Sequence, residues 1–268
     1  FQEKLKLFNL IKKDGSAIIN IDDSYSSKII NSIKTNIITY GFSKNADIYP
    51  IDVTYNYNST NAKLSIFSKQ YKIESNLPGK HNLYNIMASI HVGLINHLSP
   101  TSIIKSIENI KFIPGRMEYI GNTKYKIYID YAHTPDAFKN VLSMIRDLKD
   151  ENHKIITLFG CGGNRDSSKR PLMSKIAEQY SDEIIITSDN PREESLEEII
   201  NDMLKGFSQN KHQIIKDRKD AIIYAMNIMN EKSILLILGK GRENYEIIKG
   251  VKKPHNDINI VKGILNEN

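Results

Sequence analysis

YKIYIDYAHTPDAFKNVLSMIRDL, residues 125–148, holds one complete strand-to-helix step. An apolar run closes at Ala132, Asp130 and His133 mark its exit, and Thr134-Pro135 is an N-cap followed by the first helical position. Phe138, Val141, Leu142, Ile145 and Leu148 then recur at three- and four-residue steps, the spacing of one helix face. The same rhythm continues downstream. Apolar runs at KIITLFG (154–160), DEIIITS (182–188), HQIIK (212–216) and SILLILG (233–239) alternate with amphipathic segments. Strands alternating with helices predict a parallel, doubly wound α/β sheet whose ligands bind beyond the carboxyl ends of the strands.

Upstream the pattern differs. A short apolar run at residues 16–19, a helical spacing of Ile29, Ile30 and Ile33, and NIITYGF (36–42) predict strand, helix and strand. IDVTYNYN, KLSIFSK and YKIESN, between residues 48 and 76, alternate in short segments joined by Asn/Ser turns and predict antiparallel hairpins. Two helices follow, one with Leu83, Ile86, Met87, Ile90 and Leu94 on a face, the next with Ile103, Ile107 and Ile110. Pro114-Gly115 then punctuates the chain, and a boundary there divides it into residues 1–113 and 114–268.

Two cores suit 268 residues, and 40% hydrophobic with 25% charged residues is the composition of a soluble globular protein. No uncharged apolar stretch reaches the length of a membrane span, and FQEKLKLF at the start lacks a signal peptide's layout. The single cysteine, Cys161, excludes an intramolecular disulfide and points to a reducing compartment, so a cytoplasmic protein is expected. Cys161 itself reads as a small buried residue rather than a nucleophile. A net charge of +6 is dispersed, with no nucleic-acid arm, and suits an anionic small molecule as well as any polymer. A first residue of Phe1 is expected of a trimmed chain or the back part of a longer one.

The informative motifs all fall at predicted strand ends. Asp130 and His133 either close a loop or, in the case of the aspartate, accept ribose hydroxyls. In GCGGNRDSSKRP (160–171), Gly160, Gly162 and Gly163 let backbone amides approach an anion, with Arg165, Lys169 and Arg170 adding charge. It is not a dinucleotide fingerprint, because the third glycine of GxGxxG falls at Arg165. SDNPREES (188–195) is turn chemistry apart from Arg192, which no turn requires. GKGREN (239–244) is not a phosphate loop, and GxxxxGK[ST] occurs nowhere in the chain. His81, His91, His97, His153, His212 and His255 show no metal-ligand spacing and read as structural or surface residues.

Taken in order, GKHNLYN, PGRME, DYAHTPD, GCGGNRD with KRP, DNPR and GKGRE resemble the Mur ligases, which build the peptidoglycan stem peptide. The resemblance spans the whole chain. It implies the later part of a central ATPase domain, without its P-loop, followed by a Rossmann-like C-terminal domain. Among Mur ligases the motifs are most similar to those of members that add meso-diaminopimelate to the UDP-N-acetylmuramoyl-dipeptide, using ATP and Mg²⁺.

By the same resemblance Asn82 and Asn85 lie near adenine, while Arg116, Asp130 and His133 close on the ribose and phosphates, His133 also acting in catalysis. Lys4 matches a lysine that the family carbamylates, making an anionic oxygen ligand for Mg²⁺; otherwise it is a surface lysine beside Lys6. Arg165, Asn190, Arg192, Gly239 and Glu243 match the diaminopimelate pocket, where two arginines grip a carboxylate and Glu243 with a backbone carbonyl holds an ammonium. Asn164, Ser188 and Arg242 depart from the family's usual aspartate, acid and histidine. A monomer is expected, with neither nucleic-acid binding nor membrane insertion. Lacking a P-loop, the chain alone is expected not to hydrolyse ATP. The alternatives are a ligand-binding remnant without catalysis and a related ligase that extends folate with glutamate.

Overall fold

The computed structural model describes residues 1–122, 124–209 and 211–267. It divides into two compact units, Phe1–Lys111 and Phe112–Asn268.

The first unit begins with α1 (Gln2–Phe8), a helix with no buried residue. It continues through β1 (Ser16–Asn20), α2 (Ser26–Ser32), β2 (Asn36–Tyr40), β3 (Ile48–Tyr55), β4 (Thr60–Ile66), β5 (Lys69–Ser75), α3 (Lys80–Ile95) and α4 (Pro100–Glu108). Its five strands lie in chain order, parallel from β1 to β3 and antiparallel from β3 to β5. The predicted strand-helix-strand start and the later hairpins are both present. The tight turn between β4 and β5 is Phe67-Ser68, both at positive φ, rather than an Asn/Ser pair. Leu83, Ile86, Met87 and Ile90 of α3 and Ile103, Ile104 and Ile107 of α4 bury against Ile48, Leu64 and Ile73 of the sheet. Ser99 caps α4 by accepting from the Ser102 amide, and Pro100 follows at the first position. Ile110 lies beyond the end of α4 and is 38% exposed, so the predicted face is one turn too long.

The second unit runs β6 (Glu118–Tyr119), β7 (Lys126–Asp130), α5 (Pro135–Leu148), β8 (Lys154–Phe159), α6 (Lys169–Tyr180), β9 (Glu183–Ile186), α7 (Leu196–Leu204), β10 (His212–Ile214), α8 (Arg218–Asn227), β11 (Ser233–Leu238), β12 (Tyr245–Ile248), β13 (Val251–Pro254) and α9 (Asp257–Glu267). Its sheet has the order β10-β9-β8-β11-β7-β6, parallel except for the edge strand β6. Every residue of β11 is buried because the central strand has helices over both faces, which is why SILLILG reads as an unbroken apolar run. Thr134 caps α5 as expected, accepting from the Ala137 amide at 3.3 Å. The β12–β13 hairpin lies outside this sheet and was not among the predicted strands.

Candidate functional site

In the second unit the strand order sets the carboxyl ends of β9, β8, β11 and β7 side by side. A cavity of about 290 Å³ opens there, lined from all four ends. Its wall includes Tyr131 and His133 after β7, Cys161 and Arg165 after β8, Asp189, Asn190 and Arg192 after β9, and Gly239 and Glu243 after β11. The five residues expected to hold diaminopimelate thus line one cavity, with His133.

Arg192 sits at φ +57, its backbone bracketed by the Ile247 carbonyl at 2.9 Å and the Lys249 amide at 2.6 Å, so β12 holds the turn that carries it. Its Nη1 donates to the carbonyls of Gly163 at 2.8 Å and Asn190 at 3.3 Å, while Nε and Nη2 bond no described residue. A side chain at Gly163 would place its Cβ 1.9 Å from the Pro191 carbonyl oxygen, so only glycine lets the two loops meet. Arg165 is exposed and bonds no described residue. Two guanidiniums with free donors therefore belong to the wall of the cavity.

The opposite charge comes from Asp189 and Glu243. Asp189 is buried on the cavity wall and accepts no hydrogen bond from a described residue. Its Oδ2 lies where a Cβ on Gly239 would come within 2.6 Å, and Gly239 has φ +113, so this contact and this backbone both require glycine. Asn190 is held beside Glu243: its Nδ2 donates to Glu243 Oε2 at 2.8 Å, and its Oδ1 accepts from the Ile247 amide at 2.9 Å and Lys240 Nζ at 3.2 Å. Two carboxylates and two guanidiniums in a cavity this small suit the ammonium and carboxylate of an amino acid.

His133 Nδ1 lies 2.8 Å from the Tyr131 carbonyl, so in the neutral ring Nδ1 carries the proton and Nε2 keeps a lone pair. Lys169 Nζ donates to the His133 carbonyl at 2.9 Å. The Arg116 guanidinium stands over the Tyr131 ring at 4.8 Å, and the His133 ring meets it edge-on at 4.6 Å. Burial pushes the Tyr131 hydroxyl pKa up, and the charges of Glu243 and Asp189 push it further. A second cavity of about 640 Å³ shares Tyr131 and Glu243 with the first and adds Arg116, Arg242 and Tyr245.

Asp130 faces inward. One oxygen accepts from the Met117 amide at 2.7 Å and the other from the Ala132 amide at 2.6 Å. Burial raises its pKa, with those two bonds and the Arg116 charge acting against the shift. Its position ties the end of β7 to the loop that carries Arg116. Burial likewise pushes the Cys161 thiol up to about 12, in line with an inert buried residue.

Three expected site residues lie in the first unit. Lys4 is exposed on α1. Asn82 is buried, with Nδ2 donating to the Pro78 carbonyl at 2.8 Å, and Asn85 is exposed on the same helix, α3. Among the described residues no group of three or more His, Cys, Asp or Glu is placed to share a metal ion.

Three charges have structural roles that sequence reasoning missed. Arg170, expected to add charge for an anion, is buried and committed to Glu194 and Asp202 at 2.5 and 3.0 Å. Arg218 grips Asp257 through two bonds of 3.0 and 2.8 Å and also donates to the carbonyls of Ser188 and Leu238. Lys240 is wholly buried beside Asn190. The available signal was weak, namely a basic residue inside each of KRP, KDR and GKG. Two of the three departures have partners of their own: the Asn164 Oδ1 accepts from the Glu193 amide at 3.0 Å, and the Ser188 hydroxyl donates to Glu246.

Residues 1–93 match the Mur ligase middle domain, and residues 115–241 match the Mur ligase, glutamate ligase domain. The UDP-N-acetylmuramoyl-L-alanyl-D-glutamate--2,6-diaminopimelate ligase of Aquifex aeolicus is 42% identical over 266 residues, 99% of this chain and 54% of that protein. A solved structure bearing the same enzyme name is 32% identical at a TM-score of 0.63, covering 99% of this chain and 56% of the other. The MurF ligase of Thermotoga maritima in complex with ADP shares the fold at a TM-score of 0.71 and 16% identity, over 99% of this chain and 56% of that one. The chain spans about half the length of the curated relatives it matches.

Proposed function

The chain belongs to the Mur ligase family, and from that membership we propose that it is the amino-acid-receiving part of an ATP-dependent ligase. The ligase adds meso-diaminopimelate to UDP-N-acetylmuramoyl-L-alanyl-D-glutamate in cytoplasmic peptidoglycan synthesis, working as a monomer. The observation that carries this reading is the one cavity whose wall Arg165 and Arg192 share with Asp189 and Glu243.

In this reading Arg165, Arg192 and the amide of Asn190 take the distal carboxylate of diaminopimelate. Glu243, Asp189 and the Gly239 carbonyl take its ammonium. The other amine attacks the acyl phosphate that ATP forms on the D-glutamyl carboxylate: a C–N bond forms, the bond to phosphate breaks, and inorganic phosphate leaves. Nε2 of His133, the ring nitrogen not engaged with the Tyr131 carbonyl, is placed to accept the proton released by the amine. Arg116, stacked on Tyr131, serves the nucleotide, and Asp130 serves it indirectly by holding the Arg116 loop. Asn82 and Asn85 belong to the adenine end. Holding the reactants in place accounts for most of the rate gain.

Lys4, if carbamylated, would offer an anionic oxygen to Mg²⁺. Among the described residues no cluster of His, Cys, Asp or Glu is placed to supply the remaining ligands.

The test is calorimetry on the 268-residue chain with meso-diaminopimelate and with L-lysine. Lysine ends in an ammonium without a carboxylate, so it leaves the guanidiniums unpaired at a cost of about 2–5 kcal/mol. Diaminopimelate is expected to bind roughly 30- to several-thousand-fold more tightly, with Arg192→Ala removing most of that preference. Equal affinities, or a preference for lysine, sink the assignment of the substrate. A preference for L-glutamate favours the folate-extending alternative.

A further inference from the structure

Lys240 is wholly buried, one residue past Gly239, and does not itself line the cavity. A buried ammonium is expensive unless its hydrogen bonds are met, and the partners of this one are specific. Nζ donates to Asn190 Oδ1 at 3.2 Å and to the Tyr245 carbonyl at 2.9 Å, and it lies 3.6 Å from Glu243 Oε2. Burial lowers its pKa, and Asp189 and Glu243 work against that shift.

These contacts dictate what the cavity presents. With Lys240 Nζ and the Ile247 amide both donating to Oδ1 of Asn190, the amide has one orientation, because a flipped NH₂ would face two donors. Nδ2 must then point away from them, where it gives one N–H to Glu243 Oε2 and keeps the other free. Glu243 is drawn by Lys240 and Asn190 through the same oxygen, Oε2, which leaves Oε1 unengaged among the described residues.

We propose that Lys240 is a positioning residue that sets the Asn190 amide and the Glu243 carboxylate, and through them the choice of amino-acid head. It rests on the amino-acid pocket proposed above, and it adds a residue that touches no ligand. Lys240 acts as a fixed cation beneath the pocket: it turns Asn190 into a donor for a carboxylate and Glu243 into an acceptor for an ammonium.

The experiment pairs Lys240→Met, close in length and uncharged, with Asn190→Ala in the 268-residue chain. Diaminopimelate affinity is read by calorimetry, and the Asn190 side-chain NH₂ signals are read by NMR without ligand. Lys240→Met is expected to weaken diaminopimelate binding about tenfold or more in the wild-type background and less than about threefold in the Asn190→Ala background, the non-additivity of residues acting as a unit. The NH₂ protons of Asn190, slow to exchange in the wild type, are expected to exchange rapidly in Lys240→Met. Equal losses in both backgrounds, or unchanged NH₂ exchange, overturn the proposal and leave Lys240 a packing residue. If the wild-type chain binds no diaminopimelate, the pocket assignment fails, and the NH₂ exchange alone decides whether Lys240 positions Asn190.

Discussion

Arg218→Met should unfasten the site from beneath without touching its wall. Arg218 is 1% exposed, starts α8, and donates to both oxygens of Asp257 at the start of α9 and to the Ser188 and Leu238 carbonyls at 3.1 and 3.0 Å. Those carbonyls stand immediately before Asp189 and Gly239, so one guanidinium ties together the exits of β9 and β11. Removing it strands a buried carboxylate, which costs about 3–5 kcal/mol, and deprives two buried carbonyls of a donor at roughly 1 kcal/mol more. For a unit of this size each kcal/mol is worth about 2–4 °C, so the transition of the second unit should fall by roughly 8–24 °C. Arg218→Met with Asp257→Leu should recover most of the loss, because no charge is left unpaired.

The pH dependence carries a sign. Burial by itself raises the Asp257 carboxyl pKa, but the Arg218 charge and the hydrogen bonds from His255 and Arg218 hold it well below the usual carboxylate range. A depressed carboxylate contributes stability that is present above its unfolded value, about pH 4, and is lost as pH falls through the folded one. In Arg218→Met the same carboxylate has lost its cation, so acidification below about pH 5 should destabilise that variant less than the wild type. Calorimetry reads the transition, and native-state amide exchange in β8 and β11 assigns it to the second unit. Protection of β11 within about 1 kcal/mol of the wild type in Arg218→Met, a loss too small for a broken buried pair, refutes the reasoning.

Two further outcomes are expected. Gly239→Ala forces a Cβ to within 2.6 Å of Asp189 Oδ2 at φ +113. It should cost about 1–3 kcal/mol and weaken diaminopimelate binding; an unchanged melting temperature with unchanged affinity contradicts the geometry. Cys161, its thiol pushed up to about 12 by burial, should react with iodoacetamide at pH 7.5 at least about a thousandfold more slowly than a free thiol. Full reactivity should return in urea, and rapid labelling of the folded chain would be the contrary result.

What could be read along the chain was whatever depends on neighbours a few residues away. The strand-helix alternation from Tyr125 to Leu238 was legible because central parallel strands are buried on both faces and the helices between them bury one stripe. The Thr134 cap was legible for the same local reason. The hairpin of β12 and β13 was not, since all four residues of β13 are exposed and none of β12 is fully buried, so YEIIKGV carries no alternation of buried and exposed positions. Ile110 was placed one turn too far because helical periodicity does not mark where hydrogen bonding stops.

The site divides in the same way. Arg165, Asn190, Arg192, Gly239 and Glu243 stood out as motif residues at strand ends, and the structure gathers all five around one cavity. Lys240 and Arg218 did not stand out and Arg170 was expected to serve an anion, because a buried charge is defined by a partner far along the chain: Asn190 for Lys240, Glu194 for Arg170 and Asp257 for Arg218. Asp130 left two readings open along the chain, loop closure and ribose binding, and the structure shows the loop closure, with each oxygen accepting from a backbone amide. The sequence by itself determined the order of elements and the chemistry available at each strand end, since periodicity and turn chemistry are properties of short segments. Only the tertiary structure decided which charges face the cavity and which lie beneath it, since burial and pairing exist only once the crossovers have set β9, β8, β11 and β7 side by side.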